Sequence, residues 1–300
     1  MKCVLPKEGM SMMNKQQVPG YFRYQLGDVE ITALYDGYAL GNTDIYYGTD
    51  ADTVIKAWHA NFTTTTMIDD RENIKVDSNT YLVDTGHELS LIDTGSSDAL
   101  GPSMGKMLTN LKASGYRPED VDKVFLTHAH PDHIDGLVIN NQMTFPNATV
   151  YLKRADYDFW LSILPNLDSL LAPYVQKNQC VLFTQDGELT DGITAVSLPG
   201  HTIGHTGYLI ESNGQKLFAW GDIIHDPDVQ LTDPNVEVVL GKYDEKRVAK
   251  ELATEKKTVE QVADTPELVA GAHLPFPGIG HIVSNENATG YRFIPVHYTE

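Results

Sequence analysis

Cysteine is nearly absent from this chain of 300 residues: Cys3 and Cys180 are the two present. Two thiols cannot build a disulfide framework, so the fold has to rest on a packed core, and a reducing, cytoplasmic compartment is the simpler expectation. Long apolar runs are missing as well. No stretch approaches the ~18 residues of a spanning helix, and MKCVLPKEGMSMMNKQQVPG at the start has no continuous apolar segment and no small-residue cleavage site. The N-x-T triplets at Asn61, Asn147 and Asn287 therefore carry little weight. Positive charge is scarce: 22 Lys and Arg stand against 41 Asp and Glu, a balance of −19. That disfavours nucleic acid or an anionic membrane surface as partner. The basic residues do not gather in the sequence; EKRVAKELATEKK (245–257) mixes signs and reads as a solvated helix face.

No repeat, low-complexity linker or break in composition divides the chain. We read a loose N-terminal arm over 1–20 and a single domain over 21–300. YFRYQLGDVEITALYDGY alternates apolar and polar residues around Gly27-Asp28, a hairpin signal. Residues 50–62 read as a short helix, NTYLVD and ELSLID as strands joined at Thr85-Gly86-His87, and 102–114 as a helix closed by Gly115. A buried strand DKVFLTH follows, then strand TVYL, helix RADYDFWLSIL, strand ITAVSLPG and a hairpin turning at Asn213-Gly214. A long helix near 244–264 and strands near 267–271 and 291–297 complete the chain. Strands and helices interleave, with several hairpins among them. The pattern predicts an α/β fold of two mixed sheets packed together with helices on the outside.

The strongest chemical signal is FLTHAHPDHIDG (125–136), where His128, His130, Asp132 and His133 crowd into six residues after an apolar strand. Imidazole nitrogen and carboxylate oxygen suit zinc, and also manganese, iron or cobalt. Four ligands do not complete two sites. His201 after TAVS, Asp222 at the end of LFAWGD and His273 after ELVAGAH each fall at another strand–loop junction. Scattered surface or core histidines would not fall into one ordered pattern with two aspartates.

This set, with Gly200-His201 and Gly221-Asp222, resembles the metallo-β-lactamase-fold hydrolases from about residue 79 to the C-terminus. The resemblance implies an αββα sandwich. It gives His128, His130 and His201 to a first metal and Asp132, His133 and His273 to a second, with Asp222 bridging both and a bridging hydroxide as nucleophile. It also bears on two Asp-Thr-Gly triplets, Asp84-Thr85-Gly86 and Asp93-Thr94-Gly95, that look like an aspartic protease signature. Both lie on one hairpin, whereas the protease needs carboxylates facing each other from separate lobes or subunits. Asp84 reads as a turn residue. In the resembling fold a similar Asp-Thr-Gly precedes the metal motif, which implies that Asp93 orients a metal ligand.

Substrate is narrowed by departures from the wider superfamily. Zinc β-lactamases lack an aspartate at the position of Asp222, and the diiron flavoproteins carry Glu where His130 stands. The family's nucleases want a basic track, and its glyoxalase-type thioesterases a basic helical region; neither is visible in the sequence. WGDIIH (220–225), HLPFPGIGHI (273–282) and GYRFIPV (290–296) resemble the methyl parathion hydrolases and the N-acyl homoserine lactonases. Ile203 replaces a proline common in the family, and the secretory leader of many methyl parathion hydrolases is not seen, which favours an intracellular lactonase. The resemblance thus implies a hydrolase acting on a neutral lactone or ester, with a phosphotriesterase as the alternative. A non-catalytic metal-binding protein on the same scaffold is a third reading. Asp132 and Asp222 are candidate catalytic groups. His225 is either a hydrogen-bond donor to substrate or a core histidine, and His205 is expected to be structural. Trp160, Phe276 and 161–174 are candidates to line the pocket, against a bland reading as core and connecting loop. NFTTTTM (61–67) reads as an edge strand or loop, and a homodimer formed near 38–70 is implied.

Overall fold

The computed structural model describes residues 18, 20–98, 100–163, 167–239, 244–285 and 289–298. The N-terminal arm expected over 1–20 and Asn287 thus lie almost wholly outside the described residues. An eight-stranded sheet runs in the order Tyr21–Leu26, Val29–Asn42, Arg71–Asp84, Leu89–Ile92, Lys123–Phe125, Thr149–Lys153 and Cys180–Phe183, with Thr65–Ile68 added beside Arg71–Asp84. Its first half is antiparallel and its second half, from Leu89–Ile92 onward, is parallel. A seven-stranded sheet runs from Gly187–Thr190 to Tyr291–Pro295 and is antiparallel except where Gln215–Gly221 lies beside Leu268–Gly271.

Alternation of side chains along the strands builds the layers. Tyr81, Val83, Ile92 and Phe125 face the second sheet and pack with Ile193, Tyr208, Ile210 and Leu268, while Leu82, Leu91 and Val124 point the other way. On that outer face they meet Met107 and Leu111 of the helix Met107–Ala113 and Leu167, Leu171 and Tyr174 of Leu167–Gln176. The outer face of the second sheet is covered by Val259 and Val262 of the helix Glu245–Val262, packed on Phe218, Trp220 and Val269. The result is the expected αββα sandwich. Both faces are buried along the inner strands Leu89–Ile92 and Lys123–Phe125, whereas Tyr21–Leu26 and Thr65–Ile68 at the edges stay partly exposed.

Three segments differ from the sequence reading. The strand before the Thr85-Gly86-His87 turn begins at Arg71, not Asn79, because the long strand Val29–Asn42 pairs with it from Asn73 to Asp84 and Thr65–Ile68 pairs with its start. The helix expected from 102 begins at Met107. The buried Asp36 carboxylate accepts N–H groups from Ser96, Gly105 and Met107 and so holds the segment before the helix as a loop. The helix Glu245–Val262 is not simply a solvated face: Glu251 and Glu255 are buried with Val248 and Val259. The segment 61–67 ends in the edge strand Thr65–Ile68, as read.

Candidate metal centre

All seven ligand candidates leave the ends of strands. Leu89–Ile92 and Lys123–Phe125 run parallel, so Asp93 and the His128 loop emerge together at one end of the first sheet. Gln215–Gly221 and Leu268–Gly271 also run parallel and deliver Asp222 and His273. Thr206 N–H donates to Thr127 O and ties the two sheets at this edge. A single helical turn, Pro131–Ile134, with proline at its first position, then presents Asp132 and His133.

The side chains form three overlapping groups, of which the third, Asp222, His225 and His273, joins the other two. His128, His130, His201 and Asp222 offer ligand atoms all within 4.8 Å of one another, and Asp132, His133 and His273 do the same. His130 Nδ1 lies 2.8 Å from both His128 Nε2 and His201 Nε2. Asp222 Oδ2 is 3.2 Å from His201 Nε2 and 3.0 Å from His273 Nε2, and its Oδ1 is 3.2 Å from His133 Nε2. One carboxylate therefore faces both groups.

Hydrogen bonds on the far side of each ring show which nitrogen is free. His133 Nδ1 donates to Asp93 Oδ2 at 2.8 Å, and His273 Nδ1 donates to Asp77 O at 2.7 Å. His201 Nδ1 donates to Glu251 Oε1 at 2.9 Å. The Thr127 hydroxyl gives its hydrogen to Asp93, leaving its lone pairs for His128 Nδ1 at 3.0 Å. With these tautomers the opposite nitrogens present bare lone pairs to one another and to carboxylate oxygens. His133 Nε2 and Asp222 Oδ1 are buried with no hydrogen-bond partner. Acceptors facing acceptors in a buried site call for cations between them. Burial also holds His128 and His130 well below the usual imidazole range, whereas His133, His201 and His273 are raised against burial by the facing Asp222 carboxylate, where a cation would take the place of the proton. The donor set fits two divalent cations.

Several residues that the sequence reading missed hold this arrangement. Glu251 has just been placed behind His201. Asp156, fully buried, accepts from Ala129 N and Gly204 N and so clasps the two loops that carry His128 and His201. Gln230 Oε1 accepts from the backbone N–H groups of His225 and Asp226, and its Nε2 donates to Glu237. Nothing in the sequence marked these acids and amides, whose partners lie far along the chain or on the backbone. His205 donates Nδ1–H to Leu198 O and accepts the Asp222 N–H on Nε2. Gly221, at φ +60, lets the chain turn there; a Cβ would sit 2.4 Å from His205 Nε2.

Asp93 adopts φ +60 and also accepts Thr127 N–H, whereas Asp84 accepts Gly86 N–H within its turn. The two aspartates thus sit at opposite ends of one hairpin. His225 is buried, stacks on His273 with ring centres 4.7 Å apart, and has no hydrogen bond at either ring nitrogen among the described residues. Its Nε2 is 3.5 Å from Asp222 Oδ2, and burial pushes its pKa down to about 4. A cavity of about 660 Å3 opens at His130 and His201, with Trp160 set edge-on to His130 at 5.0 Å. A second cavity of about 320 Å3 is lined by His225, His273, Lys75 and Asp77. From 161–174, Ile163 reaches the larger cavity, while Leu167, Leu171 and Tyr174 are core. Phe276 packs against Tyr35 and lines a third cavity of about 390 Å3, which shares Asn61, Pro227, Asp228 and Pro275 with the second. The sequence reading that basic residues do not gather is corrected: folding brings Lys246, Arg247 and Lys250 onto one wall of the larger cavity.

A family model described as the metallo-beta-lactamase superfamily matches residues 74–273. An N-acyl homoserine lactonase of Bacillus cereus is 27% identical over 176 residues, which cover 52% of this chain and 65% of that protein. The match thus spans just under two thirds of that relative's length. The solved structure of hydrolase AbOPH in the beta lactamase superfamily is 31% identical with a TM-score of 0.86, covering 95% of this chain and 100% of that one. The structure of AidC, a dizinc quorum-quenching lactonase in complex with a product N-hexnoyl-L-homoserine, is 26% identical with a TM-score of 0.81, covering 94% and 99%.

Proposed function

Because the chain belongs to the metallo-β-lactamase superfamily, we propose that it is a metal-dependent hydrolase that opens lactone rings of the N-acyl homoserine type. The observation that carries this reading is the position of Asp222, one carboxylate placed against both ligand groups. His128, His130 and His201 would hold one divalent cation and Asp132, His133 and His273 the other, zinc first among ions that accept such donors. Bound there, the pair supplies Lewis acidity toward the ester carbonyl and lowers the pKa of water.

The chain's own residues do the rest. Asp93, Glu251, Thr127 and the Asp77 carbonyl fix the imidazole tautomers, so no reorganisation is needed as charge develops. His225, held neutral by burial, carries one N–H and one lone pair beside Asp222. In this reading its free ring nitrogens support a hydrogen bond to the substrate's ring oxygen. Asp132 is first a ligand, and passing a proton to the leaving oxygen is its secondary role. In the net reaction the carbonyl carbon gains an oxygen from water, its bond to the ring oxygen breaks, and that oxygen takes a proton. Trp160 and Phe159 offer an apolar wall to an acyl chain. The same aromatic wall supports a second reading, a phosphotriesterase with an aryloxide leaving group. A binding-only role leaves this cavity beside His130 without a task.

Exposed Leu40, Phe62, Met67 and Ile68 support a homodimer formed through 38–70, which light scattering tests. Cysteine scarcity supports a cytoplasmic, reducing compartment; no helix among the described residues is long and apolar enough to cross a membrane. The function is tested by kcat/KM on one metal-replete preparation, comparing a medium-chain acyl homoserine lactone with methyl paraoxon beside a chelated control. A lactone value higher by decades upholds the first reading. The reverse upholds the second, and no turnover of either overturns both.

A further inference from the structure

The larger cavity has two unlike walls. One is apolar: Phe159, Trp160 and Ile163 from the helix Arg154–Ile163, and Ile203 from the loop after His201. Ile163 is 52% exposed and Ile203 54%, large side chains left facing the cavity. The other wall is the start of the helix Glu245–Val262, which contributes Lys246, Arg247 and Lys250. Lys246 and Lys250 lie four residues apart and so project on one side of that helix. Among the described residues neither lysine takes part in an ion pair. Asp244 also reaches this wall, but its Oδ1 is engaged as the helix cap, accepting Arg247 N–H at 2.8 Å. Arg247 is held in place by donating from Nη1 to His201 O at 3.3 Å, and its Nη2 is buried with no acceptor among the described residues.

Three cations on one wall are unexpected in a protein of net charge −19. A purely apolar acyl chain would satisfy the first wall and leave the second facing nothing. The wall carries three cations against the single carboxylate of Asp244, and such an excess of one sign in a cleft raises the local concentration of the opposite sign. We propose that the substrate of this site is an amphiphile whose apolar acyl portion ends in a carboxylate, the chain lying on Trp160 and Ile203 and the carboxylate on Lys246, Arg247 and Lys250. This rests on the reading of the centre as an ester- or lactone-opening site. It changes that reading at the far end of the acyl chain, where a charged group replaces the neutral methyl terminus.

The test uses the metal-loaded enzyme and two substrates of equal chain length, N-hexanoyl homoserine lactone and its analogue with a carboxylate on the terminal carbon. KM and kcat are read separately in the wild type and in the Lys246→Glu/Lys250→Glu variant, whose changes lie on exposed helix positions. The carboxylate should lower KM about tenfold in low salt, as expected for two or three partly exposed ion pairs, with little change in kcat. The advantage should shrink with added salt and disappear in the variant. Equal KM values for the two substrates, or an unchanged ratio in the variant, overturn the proposal and leave the lactonase reading standing. If neither substrate is opened, the lactonase reading fails, and binding decides the subsite. Calorimetry with octyl sulfonate against octanol should then show the anion preferred by the wild type alone. Equal binding of the two, or an equal preference in the variant, overturns the subsite.

Discussion

Glu251 Oε1 accepts the Nδ1–H of His201 at 2.9 Å across fifty residues of sequence. The contact fixes the ring so that Nε2 points at His130 and Asp222, and it adds negative charge behind a ligand that must donate electrons to a cation. Glu251→Ala should weaken one of the two metal sites by about ten- to a hundredfold. Glu251→Gln, which keeps an acceptor but loses the charge, should weaken it less. Competition with a chromophoric chelator measures both, and identical dissociation constants in all three proteins would discount the contact.

Asp222 carries a larger share, because its two oxygens face both groups. Asp222→Ala should lower metal content below two per chain and cost about a thousandfold or more in kcat/KM, the rate equivalent of several kcal/mol. Elemental analysis and steady-state kinetics on the same preparation give both numbers. Wild-type-like turnover would sink the two-metal mechanism.

Much of this centre was legible in the sequence because each ligand sits just beyond an apolar strand, and parallel strands carry their ends to one edge. Asp93 was legible only through the resemblance, by the Asp-Thr-Gly that precedes the metal motif in that fold. The supporting groups were not. Glu251 and Glu255 sit in a run of alternating charge, where a helix face looks solvated until the sheet beneath it is known. Asp156 and Asp36 act on backbone N–H groups of distant loops, and a backbone amide leaves no trace in side-chain pattern. The convergence of Lys246, Arg247 and Lys250 on the cavity was hidden likewise. Only the packing of their helix against the second sheet shows which way they face.

The buried acids behind His201 give the protein a dependence on pH. Glu237 is pushed up to about 8 by burial first and by the charge of Glu251 second, and its neighbour Glu255 is raised as well. A carboxyl whose folded pKa is raised binds its proton more tightly in the folded state. Stability is therefore full below the ordinary carboxylate range near 4.5 and falls as pH rises toward about 8. Glu237→Gln removes this loss while keeping an amide that can pair with Gln230. Its Tm should exceed the wild type's by about 2–4 °C in alkaline buffer and show no gain in mildly acidic buffer. Melting curves across the range check this; a gain confined to acid would reverse the sign and refute the assignment.

In the proposed function Trp160 would present an apolar face to the substrate, its N–H is a second candidate contact, and substitutions separate the two. The ring lies edge-on to His130 at the cavity, and its Nε1 is buried with no acceptor among the described residues. Each methylene buried against such a wall is worth about 0.8 kcal/mol, or roughly fourfold in KM. In Trp160→Ala the fall of KM with acyl length should flatten well below that slope, with kcat changed less. Trp160→Phe keeps most of the apolar face and loses the donor. If the N–H serves the amide carbonyl of an acyl homoserine lactone, Trp160→Phe should cost about five- to tenfold with that substrate, the price of one hydrogen bond. It should cost little with a simple alkyl lactone that has no amide. An equal loss with both lactones would assign Trp160 to packing alone, and parallel chain-length slopes in the alanine variant would remove it from the pocket.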